Sequence, residues 1–98
     1  MKVQNMTSHN GNPVPNQFII DLDEGFWGNM DSKQVFQSYQ TTIATKTVWP
    51  DRIDIELDRN KWDYSVTTAK YRNQFTGLTT AQTKAGIADG SIKLVDLN

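Results

Sequence analysis

Apolar and polar residues alternate strictly over residues 52–58, RIDIELD, where Ile53, Ile55 and Leu57 interleave with Asp54, Glu56 and Asp58. A period of two predicts a strand that buries one face and wets the other. Residues 17–23, QFIIDLD, predict a second strand, with Phe18, Ile20 and Leu22 on one face. Residues 2–7, KVQNMT, read as a short edge strand, and residues 91–97, SIKLVDL, as a final strand. Residues 34–47, QVFQSYQTTIATKT, are rich in β-branched and aromatic residues and read as one strand, bent or bulged near Thr41. Between these runs, residues 8–16 predict a loop: Asn10-Gly11 is a turn dipeptide, and Pro13 and Pro15 block regular pairing. Residues 24–33, EGFWGNMDSK, carry two glycines and predict a hairpin loop, with Phe26 and Trp27 either folded back onto the sheet or exposed at an interface. Trp49-Pro50-Asp51 predicts a turn.

The period changes in the last third. Tyr64, Thr68, Tyr71, Phe75 and Leu78 fall at spacings of 4, 3, 4 and 3, the stripe of a helix that Ser65 can cap and Gly77 can end. Thr79 or Thr80 can cap a second helix over residues 80–89, with a narrow face of Ala81, Ala85 and Ala88 beside Ile87 and a stop at Gly90. Gly86 weakens that helix by roughly 1 kcal/mol relative to Ala. The expected fold is α+β: a small, mostly antiparallel sheet of four to five strands with two short C-terminal helices on one face, in a single domain over residues 1–98.

Composition narrows the chemistry. Ile, Leu, Val and Phe make up 22 of the 98 residues, enough for one modest core. Cysteine is absent, which removes disulfides, thiolate metal sites and Cys nucleophiles. The single histidine, His9, cannot build a multi-histidine metal site, and no G-x-S-x-G turn exists to present a nucleophilic serine. No phosphate-cradling glycine motif is present. The net charge of −1 is far from the basic balance of a protein held mainly by phosphates. No apolar run exceeds four residues, so no membrane span is expected, and the N-terminus lacks the apolar core of a signal peptide. A cytoplasmic location is the expectation.

Four groups of residues remain as candidates. Asp54, Glu56 and Asp58 share one strand face and could hold a divalent cation or work as acid and base; the plainer reading is a solvated face. Asp21, Asp23 and Glu24 lack the glycine-centred pattern of a calcium loop and read as surface charge. Residues 58–75 interleave Trp62, Tyr64 and Tyr71 with Arg59, Lys61, Lys70 and Arg72, the mixture on which single-stranded nucleic acid stacks and pairs its phosphates. The plainer reading places Tyr71 in the core and the cations in water. The helix pair around Gly77 invites a helix-turn-helix reading, but the second helix offers only Gln82 and Lys84 to a groove.

A set of short segments runs through nearly the whole chain: Asn10-Gly-Asn12, Asn16–Ile20, Phe36–Tyr39 with Ile43-Ala44, Leu57-Asp58, Lys61-Trp-Asp-Tyr-Ser65, Lys70-Tyr-Arg-Asn-Gln-Phe75, then Gly90, Ile92 and Leu97-Asn98. In these the chain resembles a family of small uncharacterised bacteriophage and prophage proteins, a domain of unknown function. The resemblance implies a phage or mobile-element origin and no known reaction, and it carries over no catalytic residue. The Gly25–Lys33 stretch is longer than that pattern expects. The leading expectation is therefore a phage-type accessory protein that binds a host or phage protein without catalysis, with Phe26, Trp27 and Trp49 as interface anchors. The alternative is single-stranded nucleic-acid binding through residues 59–75. No cofactor and no metal are expected, and a homodimer is a further option for so small a core.

Overall fold

The computed structural model describes residues 1–22 and 32–98. The strands are β1 (Lys2–Thr7), β2 (Pro13–Leu22), β3 (Ser32–Ser38), β4 (Thr41–Val48), β5 (Ile53–Asp58) and β6 (Ile92–Val95). Between β5 and β6 lie the helices α1 (Val66–Thr76) and α2 (Thr80–Asp89). All six strands join one sheet in sequence order. The pairs from β1 to β5 are antiparallel, and β6 returns parallel to β5 after the helical crossover. The fold is α+β as expected, with one strand more than the sequence indicated.

The additional strand comes from residues 34–47, which make two strands rather than one. Ser38 pairs with Thr41, so Tyr39 and Gln40 alone reverse the chain. Tyr39 takes a φ of 56° there, a conformation usually left to Gly or Asn. The expected irregularity is also present. The register slips between Phe36 and Gln37, which bulges β4 at Ile43 and buries both Ile43 and Ala44. β2 likewise starts earlier than expected, at Pro13. The prolines act by breaking the ladder instead: pairing jumps from Thr7–Pro13 to Asn5–Phe18, and the Asn5 amide donates to the Val14 carbonyl (2.9 Å) inside the gap.

Both helices lie on one sheet face. Ser65 caps α1 by accepting from the Thr68 N–H, and Gly77 closes it with φ of 79°. Thr79 and Gln82 form a reciprocal capping box on α2. Phe75 of α1 stacks on Phe36 of β3 with ring centroids 5.8 Å apart. Around this pair the core gathers Met6, Ile43, Ala44, Leu57, Tyr71 and Ile92, with Ile19 and Ile55 packed at its margin. Lys46 reaches up from β4 to donate to the Phe75 carbonyl (2.9 Å), placing a cation at the end of α1 where the helix dipole favours one.

Candidate functional site

The acidic row on β5 is divided among three separate tasks. Asp54 accepts from the Trp49 indole N–H (2.8 Å) and pairs with Arg52 (3.3 Å). Arg52 in turn sits over the Trp49 ring, 5.0 Å from a ring centroid. Glu56 accepts from the Thr45 hydroxyl (3.3 Å) and lies beside Lys93 of β6 in the sheet register. Asp58 is buried and accepts from the backbone N–H groups of Leu97 (2.9 Å) and Asn60 (3.2 Å). Burial pushes its carboxyl up, but the bonds from Leu97, the Asn98 side chain and Asn60 outweigh burial and hold it below the ordinary 3.8. Among the described residues no three His, Asp or Glu side chains are placed to share a metal ion, and His9 is exposed in its loop. A shallow cleft of about 400 Å³ runs past Thr47, Trp49, Asp54, Glu56 and Lys93.

The aromatic and basic stretch splits between core and surface. Arg72 has no exposed surface, and its guanidinium is fully occupied within the fold. It donates to the Trp62 carbonyl (2.7 Å), to Asp63 (3.2 Å), to Asn73 (2.9 Å) and to the Thr80 hydroxyl (3.0 Å). It also lies 5.1 Å from the Trp62 ring centroid. Tyr71 is buried in the core. Arg59 pairs with Asp96 (2.9 Å) and reaches the Leu94 carbonyl. Lys61, Tyr64 and Lys70 are exposed, and Trp62 is half-buried. Lys61 stands over Tyr64 at 5.7 Å, and Lys70 over Tyr71 at 5.3 Å. In α2 the Gln82 side-chain oxygen accepts from the Thr79 N–H (2.9 Å), and both Gln82 and Lys84, the two weighed for a groove, are exposed. Of the three aromatic anchors, Trp49 is half-buried with its indole N–H engaged; Phe26 and Trp27 lie outside the described residues.

A surface that sequence reasoning missed lies on the sheet face away from the helices. In β2, Ile19 pairs with Phe36 and points at the helical layer, together with Gln17 and Asp21. Phe18, Ile20 and Leu22 therefore point the other way. Phe18 and Ile20 line a hollow of about 270 Å³ with Val3 and Gln37. Val3 is 56% exposed and Tyr39, at the neighbouring hairpin tip, 57%. Phe18, Ile20 and Val35 are half-buried. The signal was present in β2, where Gln17 and Asp21 flank Ile19 on one phase and Phe18, Ile20 and Leu22 follow one another on the other. Alternation gives the phases but not which one meets the helices.

No curated protein and no solved structure matches the chain. A family model does match, over residues 1–90. The chain belongs to that family, DUF8033, a family of unknown function.

Proposed function

We propose that this is a small phage-type accessory protein that binds another protein, without chemistry of its own, through the face of β1–β3 opposite the helices. One observation carries the reading: β2 turns its more apolar phase, Phe18, Ile20 and Leu22, away from the helical layer. Burying apolar area is the main drive of both folding and association. A strand that gives its polar phase, Gln17 and Asp21, to the interior and keeps its apolar phase outside suits a partner's apolar side chain. The hollow between Val3, Phe18 and Ile20 has room for one such anchor, with the Gln37 amide at its rim. The phage assignment rests on the motif resemblance, and the host cytoplasm is the corresponding place of action. Among the described residues no helix is long and apolar enough to cross a membrane.

Single-stranded nucleic acid has less to support it. Tyr71 and Arg72 face inward, and Arg59 is paired with Asp96. The test is a pull-down from host lysate with nuclease, comparing the natural chain with a Phe18→Lys/Ile20→Lys variant whose fold is checked by circular dichroism. The expected result is a protein retained by the natural chain and lost by the variant. Equal retention by both chains, or recovery that vanishes with nuclease, would overturn the proposal.

A further inference from the structure

We infer that β1 is the pairing edge of a homodimer, in which two copies of β1 run antiparallel across a two-fold axis and join their sheets. The inference concerns the sheet edge and stands independently of the open-face reading. Among the described residues the sheet, ordered β1 to β6, has two edges, and this protein treats them differently. β6 is only four residues long. Its Leu94 carbonyl accepts from Arg59, the chain beyond it is tied down by the Leu97 N–H on Asp58, and Asn98 closes a pair of bonds with the Thr42 backbone. These features, short length and a charged side chain across the edge, are the usual guards against edge pairing.

β1 is less guarded. It is six residues long, is exposed everywhere except Met6, contains no proline and carries a single charge, Lys2. The break in register beyond Asn5 lies at the far end and leaves Lys2–Asn5 regular. Met6 is committed to the core, so a self-pairing of this regular stretch centres on Val3.

The occupant follows from the sequence of β1. Centred on Val3, an antiparallel pair sets Val3 opposite Val3 of the partner subunit, a β-branched match that covers a residue now 56% exposed. Lys2 comes to lie opposite Gln4 of the partner subunit, and no like charges meet. The axis makes every contact occur twice, as an isologous interface requires. A core this small, without disulfides, gains most from such sharing.

The pairing predicts opposite effects from two changes at one exposed position outside the open-face hollow. Gln4→Glu sets two Glu–Lys pairs across the axis and tightens the dimer, on the order of tenfold in Kd. Gln4→Lys sets lysine against lysine and weakens it by a similar factor. Analytical ultracentrifugation over a concentration series reads both, with circular dichroism to confirm that each variant is folded. High salt removes the difference between them. Three results would overturn the inference: a monomer for both the natural chain and Gln4→Glu, both substitutions shifting Kd in the same direction, or a dimer dissociated by Phe18→Lys and indifferent to residue 4. A monomer would leave the open-face proposal standing, because that surface is complete in one chain.

Discussion

Arg72 carries a full charge into a position with no exposed surface, where it finds four hydrogen-bond acceptors and the Trp62 ring. It links the turn at Trp62-Asp63, the middle of α1 and the first residue of α2. Removing it strands the Trp62 carbonyl and leaves a hole beside the Trp62 ring. Arg72→Ala is therefore expected to cost about 3 kcal/mol, measured by urea denaturation. Arg72→Lys recovers less than half of that, because an ammonium cannot reproduce a fork that reaches four separated acceptors. Surface binding alone would give neither loss. A cation in a polar stretch reads as solvated, and so Arg72 was misjudged from composition. Its spacing held the correction: it follows Thr68 by four residues and precedes Phe75 by three, which puts it on the buried stripe. Asp58 gives a second expectation. Its folded pKa is lowered, so it stabilises the protein above the ordinary carboxylate range, and that contribution is lost as pH falls through the lowered value. The melting temperature of the natural chain should fall on acidification below about pH 4. Asp58→Asn, which has no charge to lose, should show a flatter acid limb in the same thermal melts. An identical slope for both chains would remove Asp58 from the acid response.

Single elements show where local chemistry was readable and where packing overruled it. Both helices are legible almost to their caps: Ser65, Gly77 and Gly90 stand where the sequence placed them, and Thr79 rather than Thr80 caps α2. The β3–β4 hairpin was invisible because Tyr39 and Gln40 have none of the usual turn chemistry; the sheet imposes the reversal and Tyr39 absorbs it at positive φ. The same tension appears at Gly86. By propensity alone, Ala in the middle of α2 gains about 1 kcal/mol. A Cβ there, however, would stand 2.6 Å from the Cδ1 and 2.8 Å from the Cγ1 of Ile92, a core side chain of β6. Gly86 is what lets α2 lie against the last strand. Gly86→Ala is expected to destabilise by about 1–3 kcal/mol, the usual penalty of overpacking, in chemical denaturation. Ile92→Val does not rescue it, since the atom corresponding to Cγ1 remains. A stabilised Gly86→Ala would mean that α2 can slide on β6 without cost.

At the scale of the molecule, class was easier to read than order. Period two followed by period 3.6 gives α+β, but it does not say that the strands lie side by side in sequence order, nor that β6 returns parallel. The parallel return follows from the crossover: two helices carry the chain back over the sheet face before β6 begins, and no tight turn could set it parallel. The result is an uneven layer. Among the described residues those with no exposed surface, Phe36, Ser38, Ile43, Ala44, Leu57 and Arg72, all lie in β3, β4, β5 or α1, whereas β1 contributes only Met6 to the buried set. Opening β1 exposes little, so it should open far more often than the whole protein unfolds. Native-state hydrogen exchange on dilute protein is expected to show the β1 amides exchanging on the order of a hundredfold faster than those of β3 and β4. The slowest exchange should fall on strands that flank Phe36 and Ala44. Raising the protein concentration adds a further consequence of the edge pairing. Dimerisation covers the outer side of β1, so its amides alone should slow as concentration rises, while those of β3 and β4 stay fixed. Exchange in β1 as slow as in β3 at every dilution would show that the edge is held by something within one chain.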